Sequence, residues 1–405
     1  MIQKLVKEAV FGREKEKAQE KIKKLAQERG IKLTSIQKLY ERGINGFTVP
    51  AFNIRTLTFD IARALFRAAQ KERVGVFIIE LARSEIEYSN QSPNEYIACI
   101  LAGAIKEGFS GPIFFQGDHF KIDKKKYYSS KREKENKELK NLIERAIRAG
   151  FYNIDLDCSS LILEENFKNT AKLTAFIRKL EPKNLTIAIG GEVGEIGGKN
   201  TTIEELKEFI KGYNEELKKL GNYEGIIKIA VQTGTSHGGV ILPTGKLKQV
   251  AVDLKTLKEL TIEAKKHHLA GVVQHGASTL DENFFRKFPK TGVCEIHLAT
   301  VFQNLIYDNP LFPKKLKEKI YSWLKKKFFK ERQLYKTEAQ FLYKLRKKAL
   351  GPFKEEIWNI PEENKNKVCQ QLEKKFTFFF KSLKVSNTKE RGMADEKCIT
   401  EPSSR

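Results

Sequence analysis

Three of the six histidines in this chain stand where imidazole could do chemistry. His119 lies in Gly117-Asp118-His119, His237 in Thr235-Ser236-His237-Gly238-Gly239, and His275 in Gln274-His275-Gly276-Ala277-Ser278. Each follows a short apolar run and is flanked by glycine or turn residues, the pattern of a strand that delivers a side chain at its tip. If the three tips meet, they make a tridentate nitrogen site. Imidazole suits Zn²⁺, and three protein ligands with one open position is the catalytic arrangement of that ion. An Asp-His pair after a strand, taken alone, is more often a turn with a helix cap, so the agreement of three positions carries the reading. His267 and His268 fall in a helical run beside Lys265 and Lys266 and read as solvated surface. His297, near the end of the last apolar run, is kept with the site, facing either inward or towards a helix.

Carboxylates share these surroundings. Asp118 precedes His119, Glu192 lies in the glycine-rich segment from Gly190 to Gly198, and Asp157 ends Asp155-Leu156-Asp157. So many glycines suit a mobile active-site loop better than a packed strand. Glu192 and Asp157 could each be a metal ligand, a partner that orients an imidazole, or a helix N-cap. The glycines after His237, and Gly276-Ala277-Ser278 after His275, offer backbone N–H groups and a hydroxyl to an anion, which suggests a phosphorylated substrate.

The elements that must position these residues follow from periodicity. Strands are expected at 47–54, 75–82, 112–117, 152–158, 185–193, 226–233, 271–274 and 292–298, each followed by a helical stretch. Eight strand-helix units over about 260 residues match a (β/α)8 TIM barrel in count and size, with the active site at the carboxyl ends of the strands. A doubly wound open sheet is the alternative, but no Gly-x-Gly-x-x-Gly loop follows the first strand. Residues 1–45 read as amphipathic helices, 46–310 as the barrel, 311–385 as a Lys-rich helical extension packed on it, and 386–405 as a disordered polar tail. The extension's Phe and Tyr residues read as packed faces rather than a base-stacking platform.

Composition narrows the classes further. The chain has 405 residues, 40% hydrophobic and 31% charged, with a net charge of +24 from 75 basic and 51 acidic side chains. The excess lies on helix faces and after Pro313, without a helix-turn-helix, zinc-finger or RNP pattern, so anionic metabolites are the expected partners and nucleic acid is not. No stretch approaches the roughly 18 to 20 apolar residues of a membrane span, and the N-terminus lacks a signal-peptide pattern. The expected location is cytoplasmic. Cys99, Cys158, Cys294, Cys369 and Cys398 are scattered, without CxxC spacing, and read as free thiols.

An ordered set of motifs resembles the class II, metal-dependent ketose-bisphosphate aldolases, which include fructose- and tagatose-bisphosphate aldolases. The set is Val49-Pro50-Ala51-Phe52-Asn53, Gly117-Asp118-His119, Glu192-Val193-Gly194 leading into Gly197-Gly198, Thr235-Ser236-His237-Gly238, Gln274 through Ser278, and Gly292 through Thr300. The similarity covers most of 36–310. It implies Zn²⁺ held by His119, His237 and His275, with Asp118 as the acid/base on the ketose C4 oxygen. The equivalents of Asp157 and Glu192 hold a second or alternate divalent position, and the resemblance leaves room for a monovalent cation. Gly238, Gly276, Ala277, Ser278 and Thr300 would contact dihydroxyacetone phosphate, with His297 beside them.

The implied reaction is reversible cleavage of fructose 1,6-bisphosphate to dihydroxyacetone phosphate and glyceraldehyde 3-phosphate. The metal would stabilise the enediolate, and no Schiff-base lysine is required. The resemblance also implies a homodimer or homotetramer. The chain departs from the family pattern at four places. Lys199-Asn200 replaces acidic residues that would supply the C3 base, leaving Glu195 nearby as the substitute. Glu80-Leu81-Ala82-Arg83-Ser84 stands where the second strand often ends in serine, His297 replaces an asparagine, and the C-terminal extension is atypical. These departures keep a second reading open, a non-catalytic barrel subunit or scaffold of a partner aldolase. Behind it stands nucleic-acid binding by the basic C-terminal region.

Overall fold

The computed structural model describes residues 1–195, 197–235, 239, 241–243 and 251–392. It contains nine parallel strands: β1 (Ile31–Thr34), β2 (Val49–Asn53), β3 (Ile78–Ala82), β4 (Gly111–Lys121), β5 (Asn153–Asp157), β6 (Ala188–Val193), β7 (Lys228–Val231), β8 (Val272–Gln274) and β9 (Glu295–Leu298). From β2 to β9 each strand pairs with the next, and β2 pairs back onto β9. That last pairing closes the eight strands into a barrel wrapped by helices, the expected (β/α)8 architecture, and rules out an open sheet. Among the described residues no helix is long and apolar enough to cross a membrane.

Side chains alternate across each strand. Here the Ile, Val and Leu positions face the helices while much of the lumen is polar. Gln116, Asn153, Asp155, Lys228 and Glu295 are all buried inside. Lys228 Nζ donates to Gln116 Oε1 at 2.6 Å, Asp155 Oδ2 at 3.0 Å and Glu295 Oε1 at 2.6 Å, so all three ammonium donors are used. Gly190 makes room for this cluster, since a Cβ there would lie 2.3 Å from Asp155 Oδ1. Burial opposes charge on Lys228, but Asp155 and Glu295 outweigh it and hold its pKa above the usual lysine range.

β4, with eleven residues, is the longest strand and has three neighbours. Gly111 to Phe114 pair with β1, Ile78 to Ala82 of β3 run along its other side, and β5 takes over from Gln116 onward. β1 was not expected; residues 31–34 lie in the stretch read as helical, where four residues among lysines carry too little pattern to stand out. β1 and the helix that follows, Gln37–Glu41, close the bottom of the barrel. Ser35 Oγ accepts from Ala188 N at 3.0 Å, and the Tyr40 hydroxyl reaches Glu295 Oε2 at 2.5 Å.

The C-terminal extension shares the barrel's core. In helix Glu362–Ser382, Phe376 and Phe380 lie 5.1 and 5.5 Å from the Phe52 ring of β2. Phe328 packs edge-on against Trp323, whereas Phe329 is exposed. Residues 386–392, expected in the disordered tail, are tied down: Asn387 N donates to Glu72 O at 2.9 Å and Lys389 N to Arg73 O at 3.0 Å. The remainder of that tail, with Cys398, lies outside the described residues. The other four cysteines are buried free thiols.

Removing Lys228 would strand Glu295 and Asp155 as buried anions. Lys228→Met should therefore cost about 3 to 5 kcal/mol of stability, read as a lowered urea midpoint. An unchanged midpoint would show that the cluster carries no stability.

Candidate active site

The expected strand at 112–117 does not stop at Gly117. β4 continues to Lys121 through a bulge, because two residues, Asp118 and His119, separate Gly117 from Phe120 while only one, Asp155, separates their partners Ile154 and Leu156 on β5. His119 sits on the extra residue with φ +40°, a left-handed conformation that costs a non-glycine residue and that tends to be found where function requires it. The bulge also explains Gly117: a Cβ there would lie 2.4 Å from the Phe120 ring. Asp118 and His119 are thus held by strand hydrogen bonding rather than by a free turn.

Around them the polar lumen continues upward. His119 Nδ1 lies 3.0 Å from Glu192 Oε2 and 3.2 Å from Asp157 Oδ2. The His275 ring lies between the other two imidazoles, its centroid 4.1 Å from that of His119 and 4.1 Å from that of His297. His297 faces inward from β9. Its Nδ1 is 2.8 Å from Glu80 Oε2 and 3.2 Å from Asp118 Oδ1, and its Nε2 is 2.7 Å from Glu295 Oε1. Asp157 caps no helix; its Oδ1 accepts from Ser159 N and Oγ, while its Oδ2 faces His119 and Lys121.

These contacts set the protonation states. For His119 burial opposes charge, but the Asp118 and Glu192 carboxylates prevail and raise its pKa well above the ordinary value; Glu80 and Asp118 do the same for His297. Burial and the neighbouring Asp157 charge push Glu192 up to about 7, and burial with the Asp118 charge pushes Glu80 up to about 8. Burial also works against ionisation of Asp157, but the hydrogen bond from His119 and the Lys121 charge keep its carboxyl well below the usual range.

A region so crowded with carboxylates favours a cation. His119, Glu192 and His275 offer one nitrogen or oxygen each, all within 4.8 Å of one another, a donor set that fits a divalent first-row metal. If Asp157 takes the His119 Nδ1–H, Nε2 is left to face the ion, the usual orienting role of a carboxylate behind a metal-binding imidazole. Asp118, His275 and His297 form a second close group, but both His297 nitrogens already face carboxylates. In a third, Asp155, Glu295 and His297, the Lys228 ammonium occupies the cation's place.

His237 and Gly238 lie outside the described residues. Of the described residues that follow, Gly239 and Ile241 are bonded by helix Glu338–Leu345, where Lys344 Nζ donates to Gly239 O at 2.6 Å and Gln340 Nε2 to Ile241 O at 2.8 Å. His267 and His268 are exposed at the end of helix Leu254–Lys266, away from the site. Glu195 sits at the rim of the cleft, 3.3 Å from Lys121 Nζ, while Lys199 turns to Glu205 at 2.7 Å.

The strand tips open into a cleft of about 710 Å³ lined by Asp118, His119, His275 and His297 together with Gly276, Ser278 and Thr300. Ala277 is fully buried beneath it. Ser278 Oγ accepts from Ala299 N at 2.7 Å, joining the β8 and β9 ends. Arg55, unremarked in the sequence, bonds Glu85 through Nε at 2.7 Å and points a second nitrogen at Thr300 Oγ1, 3.4 Å away. Lys228, Asp155 and Glu295 were also missed, although a charge inside an apolar strand such as Ile226-Ile227-Lys228-Ile229 is a legible sign of a polar lumen.

The family model for class II fructose-bisphosphate aldolases matches residues 35–356. Among solved structures, a fructose-bisphosphate aldolase from Campylobacter jejuni is similar at 18% identity with a TM-score of 0.52, over 88% of this chain and 97% of that one. A fructose-1,6-bisphosphate aldolase candidate from Coccidioides immitis matches at 19% identity and 0.54 over 88% and 97%. A probable tagatose 6 phosphate kinase from Sinorhizobium meliloti 1021 matches at 15% and 0.58 over 86% and 94%. At these identities the structural likenesses speak for the fold.

A divalent ion bound at His119 must displace the proton that Asp118 and Glu192 hold there beyond the ordinary value of 6.5. Metal uptake should therefore release protons at neutral pH and tighten as pH rises above 6.5. Calorimetry in buffers of differing ionisation enthalpy counts them; uptake without proton release would contradict the assignment.

Proposed function

Because the chain belongs to the class II fructose-bisphosphate aldolase family, we propose that it reversibly cleaves fructose 1,6-bisphosphate to dihydroxyacetone phosphate and glyceraldehyde 3-phosphate, with zinc as its metal. The observation that carries this reading is the grouping of His119, Glu192 and His275 beside Asp118 at the carboxyl end of the barrel. His237 would complete the ligand set, with Asp157 and Glu192 serving as orienting partners or as a second metal position. The ion would supply a Lewis acid that offsets the charge developing next to the ketone as the C–C bond breaks.

The remaining work falls to the chain's own side chains. Asp118, 3.2 Å from His297 Nδ1, would exchange a proton with the C4 oxygen. Glu195, an acidic residue at the rim, would take the C3 proton, and its ion pair with Lys121 links it to Asp157. Gly276, Ser278 and Thr300 line the cleft and offer hydrogen-bond donors to a phosphate; on this reading Gly238 and Ala277 would contribute to the same binding. His297 fills the space next to them. A homodimer or homotetramer acting on phosphorylated sugars in the cytoplasm is the setting this reading expects.

Chelation should abolish cleavage, and zinc should restore it. Asp118→Ala should retain metal yet lose about 10² to 10⁴ in rate, the range for removing a general acid/base. A near-normal rate in that variant would remove Asp118 from the mechanism. Glu195→Gln should slow exchange of the C3 proton of dihydroxyacetone phosphate with solvent; unchanged exchange would place the base elsewhere. Stoichiometric metal without turnover on any ketose bisphosphate would favour the scaffold reading.

A further inference from the structure

Apart from the first residue, the two most exposed large apolar side chains among the described residues are Leu334 at 78% and Phe329 at 70%, and they stand five positions apart. One exposed apolar side chain is ordinary; two this bare on one short segment call for a reason. Both lie in the C-terminal extension, between helix Lys314–Lys327 and helix Glu338–Leu345. The same stretch is strongly basic, with ten Lys or Arg side chains and two Glu from 314 to 336.

Three of those bases are satisfied within the chain. Lys317 Nζ donates to Tyr307 O at 2.9 Å, while Lys319 pairs with Glu356 at 2.8 Å and Lys325 with Glu338 at 2.7 Å. Lys326, Lys327, Lys330 and Lys336 differ. All four are exposed, and among the described residues none of them faces a carboxylate.

The apolar pair stands on built structure rather than on a frayed end. The Trp323 ring packs edge-on against Phe328 and Phe353, with centroids 5.7 and 5.6 Å away, and the Lys348 ammonium, from the 3-10 turn Arg346–Ala349, lies 5.3 Å from the centre of the Phe328 ring. Phe329 follows directly on that anchored ring. Leu334 ends the 3-10 turn Glu331–Leu334, in which Arg332 N donates to Phe328 O at 3.2 Å and Arg332 Nη1 to Tyr335 O at 2.9 Å. Tyr335 in turn packs edge-on against the buried Phe341, 5.9 Å away.

Bare apolar side chains flanked by unpaired ammonium groups fit a surface that is anionic outside and hydrocarbon within. Nucleic acid meets only half of that description, because a leucine has no π-face on which a base can stack. A second copy docked about a twofold axis would set these lysines against their own equivalents. An anionic bilayer meets both halves: the apolar groups enter the acyl boundary while the ammonium groups stay among the headgroups.

We propose that the segment from Lys325 to Lys336 docks the protein peripherally on an anionic lipid bilayer, with Phe329 and Leu334 inserted and Lys326, Lys327, Lys330 and Lys336 at the headgroups. The docking is independent of the reaction in the barrel.

The full chain sedimented with phosphatidylcholine vesicles, with and without about 30% phosphatidylserine, tests this. Protein should pellet with the anionic vesicles and not with the neutral ones, and added salt should weaken the binding. Combining Phe329→Ser with Leu334→Ser removes apolar groups only from exposed positions and should lower the affinity about tenfold or more. Lys326→Gln, Lys327→Gln, Lys330→Gln and Lys336→Gln should each cost about fivefold. The circular dichroism and urea midpoint of every variant should match the wild type.

No pelleting with anionic vesicles, equal pelleting with neutral ones, or undiminished pelleting of the doubly substituted protein would each overturn the proposal. Two further measurements identify the rival occupant in that event. A single-stranded polynucleotide that binds where phosphatidylserine vesicles do not would make the segment a nucleic-acid surface. A sedimenting mass that falls on the double substitution, with vesicle binding unchanged, would make it a contact between copies of the chain.

Discussion

The constraint on which this structure turns is the burial of six carboxylates, Glu80, Asp118, Asp155, Asp157, Glu192 and Glu295, in and above one barrel lumen. Each would cost several kcal/mol to desolvate alone, so each must find a cation or give up its charge. The lowest tier is settled by Lys228, whose three donors reach Asp155, Glu295 and Gln116. In the middle tier His297 lies between Glu80 and Glu295 and reaches Asp118. The uppermost tier has His119 and the partly exposed Lys121 against Asp157 and Glu192, and there burial and the Asp157 charge leave Glu192 poised near neutrality at about 7. Going up the lumen, fixed positive charge gives way to groups that can lose a proton. The top is where a divalent ion relieves the most repulsion.

Two devices far apart in the chain keep that tier in shape. One is the β4 bulge, which turns Asp118 and His119 into the same mouth by spending an extra residue within a paired strand. The other is the C-terminal extension, which is structural to the site rather than appended to it. Helix Glu338–Leu345 holds two carbonyls of the loop after β7, the 3-10 turn behind it delivers Lys347 to the cleft, and the Phe376 and Phe380 rings of helix Glu362–Ser382 pack against β2. The +24 charge that invited a nucleic-acid reading is, at Lys344, Arg346 and Lys354, engaged in carbonyl contacts and ion pairs.

What could be read from the chain followed from local pattern. The eight barrel strands lie in short runs rich in apolar residues, and the period-two placement of Asp155 and Asp157, or of Glu295 and His297, already puts those side chains on one face. Three things lay beyond such reading. β1 is four residues long and earns its place by pairing with Gly111 to Phe114, a non-local contact. The extension of β4 past Gly117 depends on a register that resumes only at Phe120 and Leu156. Arg55, Glu85 and Lys347 meet across almost 300 positions of sequence, so no spacing could have announced them.

The departures from the family pattern look different once placed in space. Taken one at a time, a glutamate near the end of β3 and a histidine in place of asparagine on β9 each put an ionisable group beside the expected acid/base residue, and each alone would be a fault. In the fold they touch, with His297 Nδ1 2.8 Å from Glu80 Oε2, so each gives the other the polar partner that burial demands. Asp118 Oδ1, 3.2 Å from the same imidazole nitrogen, is held by the pair rather than disturbed by it. Changing one member would leave a buried charge pressing on Asp118; changing both together would remove the charge with its partner. The two positions therefore act as one unit, which bears on how Asp118 is oriented and leaves the nitrogen and oxygen donors of His119, Glu192 and His275 as they are.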